Sequence, residues 1–405
     1  MSSRTAAVAA ALLILAAAFV IGAFVALPAI GAAAASQTAV PSAVAVVTPS
    51  PSPSPTATPT ATPEPTPAPT PTPAPTPILV AAPLTGLPVD PSIAARHVVA
   101  VMIDDQADAR PQSGLASADV VWQAPAEGGI PRYVALYQTA DPPSVGPVRS
   151  SRVYFIGWAA EWNAVYVHVG GSTQAMALLA TAAGRGRDVW NADEVRWGGT
   201  YIWRITQRFA PHNTYSDGAH LQALSTAVGA PPVPDQAPVW RFGRDAPLAE
   251  RPDGGSIVVP YLANRIGYAY DRRSNTYLRT VTGEGAQVDA GTGARVAPKN
   301  VVIMTMAFAP LNDGSGKGRL EAGQVGSGRA WIATNGRTIA GTWRKDSFTA
   351  PTLFFAPDGS PVILTAGQTF VQVVPTGTAI TIADGVVQPH PGLVGRHDPG
   401  GRSAS

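Results

Sequence analysis

Residues 97–138 read HVVAVMIDDQADARPQSGLASADVVWQAPAEGGIPRYVALYQ, and the fold turns on how this stretch is divided. His97–Ile103, Ala118–Gln123 and Arg132–Gln138 are short runs rich in β-branched and aromatic residues, separated by Gly-, Pro- and Asp-containing segments, which predicts three strands. Asn163–Val169 (NAVYVHV) predicts a fourth. Between the third and fourth, Tyr154, Phe155, Trp158 and Trp162 recur at the three-to-four spacing of a helix face, so Ser151–Trp162 reads as a helix turned toward the core. Ser172 before QAMALLATAA, and Ser216-Asp217 before AHLQALSTAV, read as helix N-caps, with Gly229 closing the second helix. The alternation predicts an α/β or α+β N-terminal domain with a mixed sheet, its loops gathering polar residues at one end.

Those loops hold the candidate site. Asp104 and Asp105 follow the first strand, Arg110 and Gln112 lie in DARPQSG, Glu127 and Arg132 flank the Gly128-Gly129 turn, and Arg149 and Arg152 sit in GPVRSSR. Guanidinium groups and backbone amides at a helix start suit a phosphate or carboxylate, and carboxylates beside them suit a divalent metal or a base. The same residues are equally able to pair with one another and fix loop shape. His168, in the fourth strand, and His212, in the Pro211-His212-Asn213 loop, fit either a general base or a structural imidazole. His212 and His220 are too far apart along the chain to predict a metal site, and no metal or other cofactor is expected.

A second, smaller and β-rich C-terminal domain is expected over residues 250–380. Strand-like runs fall at Ser256–Pro260, Ile266–Asp271, Val301–Phe308, Ala330–Thr334, Thr338–Trp343 and Thr369–Val374, with turn signals at Asn335-Gly336 and Asp358-Gly359. A small barrel or folded-over sheet follows. Trp343, Arg344, Lys345 and Asp346 read as a core aromatic beside surface charges, or as a binding edge.

The ends of the chain set the location. Arg4 precedes an uncharged apolar run from Ala6 to Ala35, long enough for a retained membrane helix, while Ala32–Ala35 before Ser36 fit signal cleavage. Residues 1–36 are therefore expected to be an anchor or signal that leaves the rest extracytoplasmic. Residues 37–82 form a Pro/Thr/Ser-rich linker; an extended polyproline chain rises about 3.1 Å per residue, giving a reach on the order of 100 Å. Residues 83–245 hold the first domain, and a Gly- and Pro-rich disordered tail is expected over 388–405.

Composition excludes several classes. The 405 residues contain no cysteine, so disulfides, thiol nucleophiles and lipid attachment to an N-terminal cysteine are ruled out. Net charge is +2 with no basic block, which argues against nucleic acid. There is no GxSxG elbow, HExxH helix or P-loop.

Several ordered motifs carry a resemblance. PLTGLP at 83–88, residues 101–138, VGPVRSSRVYF at 145–155, AVYVHVGGS at 164–172 and PHNTY at 211–215 are similar to the N-terminal domain of the YerB-like lipoproteins. YDRRSNTYLR at 270–279, GTWRK at 341–345 and GQTFVQVVP at 367–375 extend the similarity through the second domain. The resemblance implies a two-domain bacterial envelope protein of unassigned activity. Lipidated members carry a cysteine after the signal; its absence here implies a peptide anchor or release. Two functions stay open. One is a membrane-tethered binding or adaptor protein for a cell-wall polymer or envelope protein. The other is an envelope-glycan enzyme such as a Mg-dependent phosphoryl transferase, in which Arg110, Arg132, Arg149 and Arg152 clamp a pyrophosphate while Asp104 and Asp105 hold Mg²⁺. A loose similarity of the strand-Asp and later Arg motifs to the LytR-CpsA-Psr wall ligases prompts the second. No residue is assigned as catalytic.

Overall fold

The computed structural model describes residues 78–181, 188–233 and 238–387. The expected anchor, nearly all of the linker and the tail lie outside them. Among the described residues no helix is long and apolar enough to cross a membrane.

The first domain supplies strands β1 (Val99–Asp104), β2 (Val120–Glu127), β3 (Ile130–Tyr137), β4 (Val165–His168) and β5 (Trp190–Asp193). The second begins with an antiparallel run of β6 (Asp253–Pro260), β7 (Arg265–Asp271), β8 (Thr276–Val281) and β9 (Gly285–Ala286). It continues with β10 (Asn300–Met306), β11 (Gly326–Thr334), β12 (Arg337–Lys345), β13 (Leu353–Phe355), β14 (Thr369–Pro375) and β15 (Thr381–Val386). Ten of these strands join in one mixed sheet of order β13-β12-β11-β10-β14-β2-β3-β1-β4-β5, and β9-β8-β7-β6-β15 form a second sheet. The seam is β14, which pairs in parallel with β10 on one side and with β2 on the other. The two expected domains thus share a continuous hydrogen-bonded sheet.

Side-chain alternation explains why the large sheet is buried on both faces. Ala100, Met102, Trp122, Val134 and Leu136 face one way, onto helices α1 (Val153–Ala160) and α2 (Thr173–Ala180). Val99, Val101, Ile103, Val121, Tyr133 and Ala135 face the other, toward helix α3 (Gly218–Ala227). The aromatic stripe on α1 is core as its spacing predicts: Trp158 stacks on Trp122 with ring centroids 4.9 Å apart and planes within 7°. At the other end, Val301, Ile303, Ala333 and Val374 of the large sheet pack against Ile257, Val259, Ile266, Tyr268, Tyr277 and Val281 of the five-stranded sheet, a folded-over arrangement. Each valine or isoleucine among them, fully buried, contributes about 1.5–3 kcal/mol.

Local details follow the turn chemistry, with two differences. Asn335 and Gly336 both have positive φ, and Thr334 pairs with Arg337 across them, a two-residue hairpin. Asp358-Gly359 also turns, but the strand before it joins the large sheet while Ile363–Thr365 pairs in parallel with Arg241–Gly243. Ser172 caps α2 by accepting from Ala175 N, whereas α3 is capped by Asp217, which accepts from His220 N. Ser216 instead donates its hydroxyl to Tyr201 O at 2.8 Å; the carboxylate one residue closer to the helix takes the cap.

A buried ion pair ties α1 to β12. Lys345 Nζ lies 2.8 Å from Glu161 Oε1 and also donates to Ala350 O, while Thr352 N and Oγ1 donate to the same carboxylate. Neither side chain reaches solvent, so each charge depends on the other. Replacing Lys345 by Met strands a buried carboxylate and should cost about 3–5 kcal/mol in urea unfolding. The double variant Lys345→Met/Glu161→Gln should recover part of that loss, and an unchanged midpoint in the single variant would contradict this account.

Candidate functional site

Consecutive residues at a strand end point to opposite sides, and this separates Asp104 from Asp105. Asp105 turns inward to the junction of the two domains. Its Oδ1 accepts from Arg110 Nη1 and Gln112 Nε2, both at 3.1 Å, and its Oδ2 from Gln123 Nε2 at 2.6 Å and Asn264 Nδ2 at 2.9 Å. Beside it lies Arg279 of β8, whose guanidinium carbon stands 5.5, 5.7 and 5.6 Å from the ring centroids of Tyr133, Tyr268 and Phe370. Arg279 donates to Gln123 Oε1 at 2.7 Å and to Tyr268 OH at 3.1 Å. Burial pushes the Asp105 carboxyl up, and Arg279 and Arg110 oppose it. Burial also works against the Arg279 cation, but Tyr133, Tyr268 and Asp105 outweigh it and hold its pKa above the ordinary value.

Asp104 turns the other way and is also buried, beneath partners that lie nearer the surface. Its Oδ2 accepts from His212 Nδ1 at 2.8 Å and stands 3.0 Å from Arg149 Nε. Next to it, Glu127 takes Arg132 on Oε1 at 3.0 Å and Arg152 on Oε2. Arg132 further donates to Ser150 O at 3.0 Å, and Arg152 to Ser151 O. Burial lowers the pKa of all three arginines, and that of Arg152 falls to about 10.

The sequence-predicted residues therefore divide into three groups. Asp105, Arg110 and Gln112 belong to the interior junction, and Arg110 also reaches Glu284 of the loop before β9. Asp104, Glu127, Arg132, Arg149, Arg152 and His212 form a second cluster, mostly buried, that reaches solvent chiefly through Glu127 and Arg149. His168 joins neither: its Nδ1 lies 2.8 Å from Gly170 O and its Nε2 2.8 Å from Asn191 Oδ1, a satisfied histidine inside the sheet. Trp343 and Lys345 are buried, and Arg344 at the surface pairs with Asp346 at 3.1 Å. Among the described residues no group of three or more His, Asp or Glu side chains is placed to hold a metal ion.

Sequence reasoning missed Arg279, Asn264 and Glu284. The signal for Arg279 is parity: it shares the inward face of β8 with Tyr277 and Val281, a register in which an arginine has to find buried partners. Asn264 sits in the β6–β7 turn, and nothing local marks its partner 159 residues away.

Besides a small recess of about 90 Å³ at Arg152, two larger open concavities border these groups. One of about 470 Å³ lies between Arg110, Pro111, Gln112 and the Glu284–Val288 segment. The other, about 640 Å³ and more apolar, is lined by Pro125, Tyr261, Leu262, Leu320 and Pro375. Both are of ligand size.

Fold and site together define a two-domain, mostly β scaffold whose halves share one sheet and whose polar cluster sits at the sheet's loop end. The chain belongs to the DUF3048 family, whose members are YerB-like: residues 84–230 match "Protein of unknown function (DUF3048) N-terminal domain" and residues 257–371 the corresponding C-terminal domain. It is 30% identical over 308 residues to "Putative lipoprotein YerB" of Bacillus subtilis (strain 168), covering 75% of this chain and 89% of that one. The crystal structure of the Bacillus subtilis YerB protein superposes with a TM-score of 0.66 at 27% identity, over 75% of this chain and all of that chain.

The Asp105 network makes a direct prediction. Asp105→Asn removes the carboxylate facing Arg279 and sets an amide donor against one pair of donors, either Arg110 and Gln112 or Gln123 and Asn264, so stability should fall by about 3–5 kcal/mol in urea unfolding. A midpoint within error of the parent would show that the junction does not depend on this charge.

Proposed function

We propose that the protein is a membrane-tethered extracytoplasmic binding or adaptor module of the bacterial cell envelope, engaging a wall polymer or an envelope protein. The apolar run and proline-rich spacer support the tether, and the similarity to a protein named as a lipoprotein supports the location. One observation carries the binding reading over the phosphoryl-transferase reading. The two aspartates that such an enzyme needs side by side on Mg²⁺ face different networks, and Asp105 already accepts four donors. Arg110, Arg132 and Arg152 are likewise engaged with Asp105, Glu284 and Glu127 rather than free to clamp a pyrophosphate.

A site built by mutual neutralisation is rigid, which suits recognition by a preorganised surface. The full-length protein in non-ionic detergent should co-sediment saturably with isolated cell walls, and EDTA should leave the retention unchanged. Retention that requires Mg²⁺ would favour the enzyme, and no saturable retention of folded protein would contradict wall binding.

A further inference from the structure

Asp104 positions two side chains with one oxygen. Because its Oδ2 accepts from His212 Nδ1, the proton of the neutral imidazole is fixed on Nδ1 and the lone pair of Nε2 faces away. The same oxygen draws in Arg149 through Nε, leaving both Nη nitrogens at the far end of the guanidinium. Among the described residues, neither His212 Nε2 nor the two Nη atoms of Arg149 meet a protein partner, and none is buried from solvent. The Arg149 side chain is 21% exposed, against 5% and 3% for Arg132 and Arg152. Of the three arginines in the cluster, it is the one that presents its hydrogen-bonding edge outward.

The backbone fixes this pair. Asp104 N donates to Pro147 O at 3.0 Å, Arg149 N to Met102 O at 2.9 Å and Val148 N to Thr214 O at 2.7 Å, stitching the three segments together. Beside Arg149, the positive-φ residue Gly170 has open space where a Cβ would project. On the His212 turn, Phe209 accepts His212 N–H at 2.9 Å and its ring is 93% exposed.

The chemistry of this face is specific. Arg132, Arg149 and Arg152 oppose Asp104 and Glu127, a local excess of one positive charge that favours an anion. A guanidinium edge donates to the oxygens of a phosphate or carboxylate. In the neutral tautomer that the Asp104 hydrogen bond selects, Nε2 carries no proton and accepts one from a donor, which a hydroxyl supplies. A bare anion satisfies half of the site, and a neutral sugar satisfies the other half.

We propose that Asp104, Arg149 and His212 form a recognition site for an anionic polyol, whose phosphate or carboxylate lies on the Arg149 Nη edge and whose neighbouring hydroxyl donates to His212 Nε2. Asp104 is the positioning residue for both. This rests on the binding reading above and names its ligand class; an exposed aromatic on the same turn suits the C–H face of a sugar ring.

The test is calorimetric titration of the full-length protein in non-ionic detergent with glycerol 3-phosphate, glucuronate, glycerol and sulfate, an oxyanion with no proton to donate. The expected result is saturable binding of glycerol 3-phosphate or glucuronate, with glycerol and sulfate weaker by about tenfold or more. Whichever anionic polyol binds tighter identifies a phosphate or a carboxylate source. Arg149→Gln should lose about tenfold or more in affinity for the anion. His212→Leu should retain the anion but erase the preference of glycerol 3-phosphate over sulfate, provided that both variants unfold at the parent temperature. Equal binding of sulfate and the anionic polyols, or undiminished binding in Arg149→Gln, overturns the proposal. If folded wild-type protein binds neither anionic polyol yet still sediments with cell walls, the site is wrong and the wider reading stands; loss of both removes wall binding as well.

Discussion

The structure depends on one buried cation. Arg279 enters from the second domain with its guanidinium bordered by Tyr133, Tyr268 and Phe370, and its charge is met by Asp105 at the end of β1 and by the side-chain oxygen of Gln123 on β2. A full charge in that position carries a large desolvation penalty, which only partners from both domains can offset. Asn264 and Gln112 donate to Asp105 and Tyr268 accepts from Arg279, so contacts from both domains meet at this junction and hold them in one relative placement. The seam strand β14 does the same with backbone hydrogen bonds, pairing with one domain on each edge.

The doublet Asp104-Asp105 connects this interior to the outer face. Strand geometry sends the two carboxylates to opposite sides, so one stabilises the domain junction while the other organises Arg149 and His212 at the surface. Asp105 needs its surroundings to be dry and fully hydrogen-bonded. Asp104 works with groups that keep unused valences toward water. One short motif thereby couples the stability of the scaffold to the shape of its candidate site.

Much of this was legible in the sequence, for stated reasons. The strands of the first domain and the helix at Tyr154–Trp158 declare themselves through period-2 and three-to-four patterning, because each buries one side against a core. Of the polar residues expected in the loops, Asp104 and Glu127 end strands and Arg132 lies inside β3, while Arg110, Gln112, Arg149 and Arg152 lie between elements. Their division did not show, since Arg110 and Arg149 look alike in sequence and differ in their partners, Asp105 and Glu284 for the one and Asp104 for the other. The sharing of β14 was equally hidden: its contacts reach more than 240 residues back to β2, and no local signal marks a strand as the seam of two domains. Strand β15 escaped because Asp384 and Gly385 break its pattern and one face of it is exposed.

The measurement that bears most directly on the central claim is differential scanning calorimetry of the full-length protein, comparing the calorimetric with the van't Hoff enthalpy. A shared sheet and a shared buried charge require the two family domains to unfold together, in one transition with the two enthalpies equal. Two separable transitions, or a van't Hoff enthalpy near half the calorimetric value, would mean that the domains are independent and that Arg279 and β14 do not unite them.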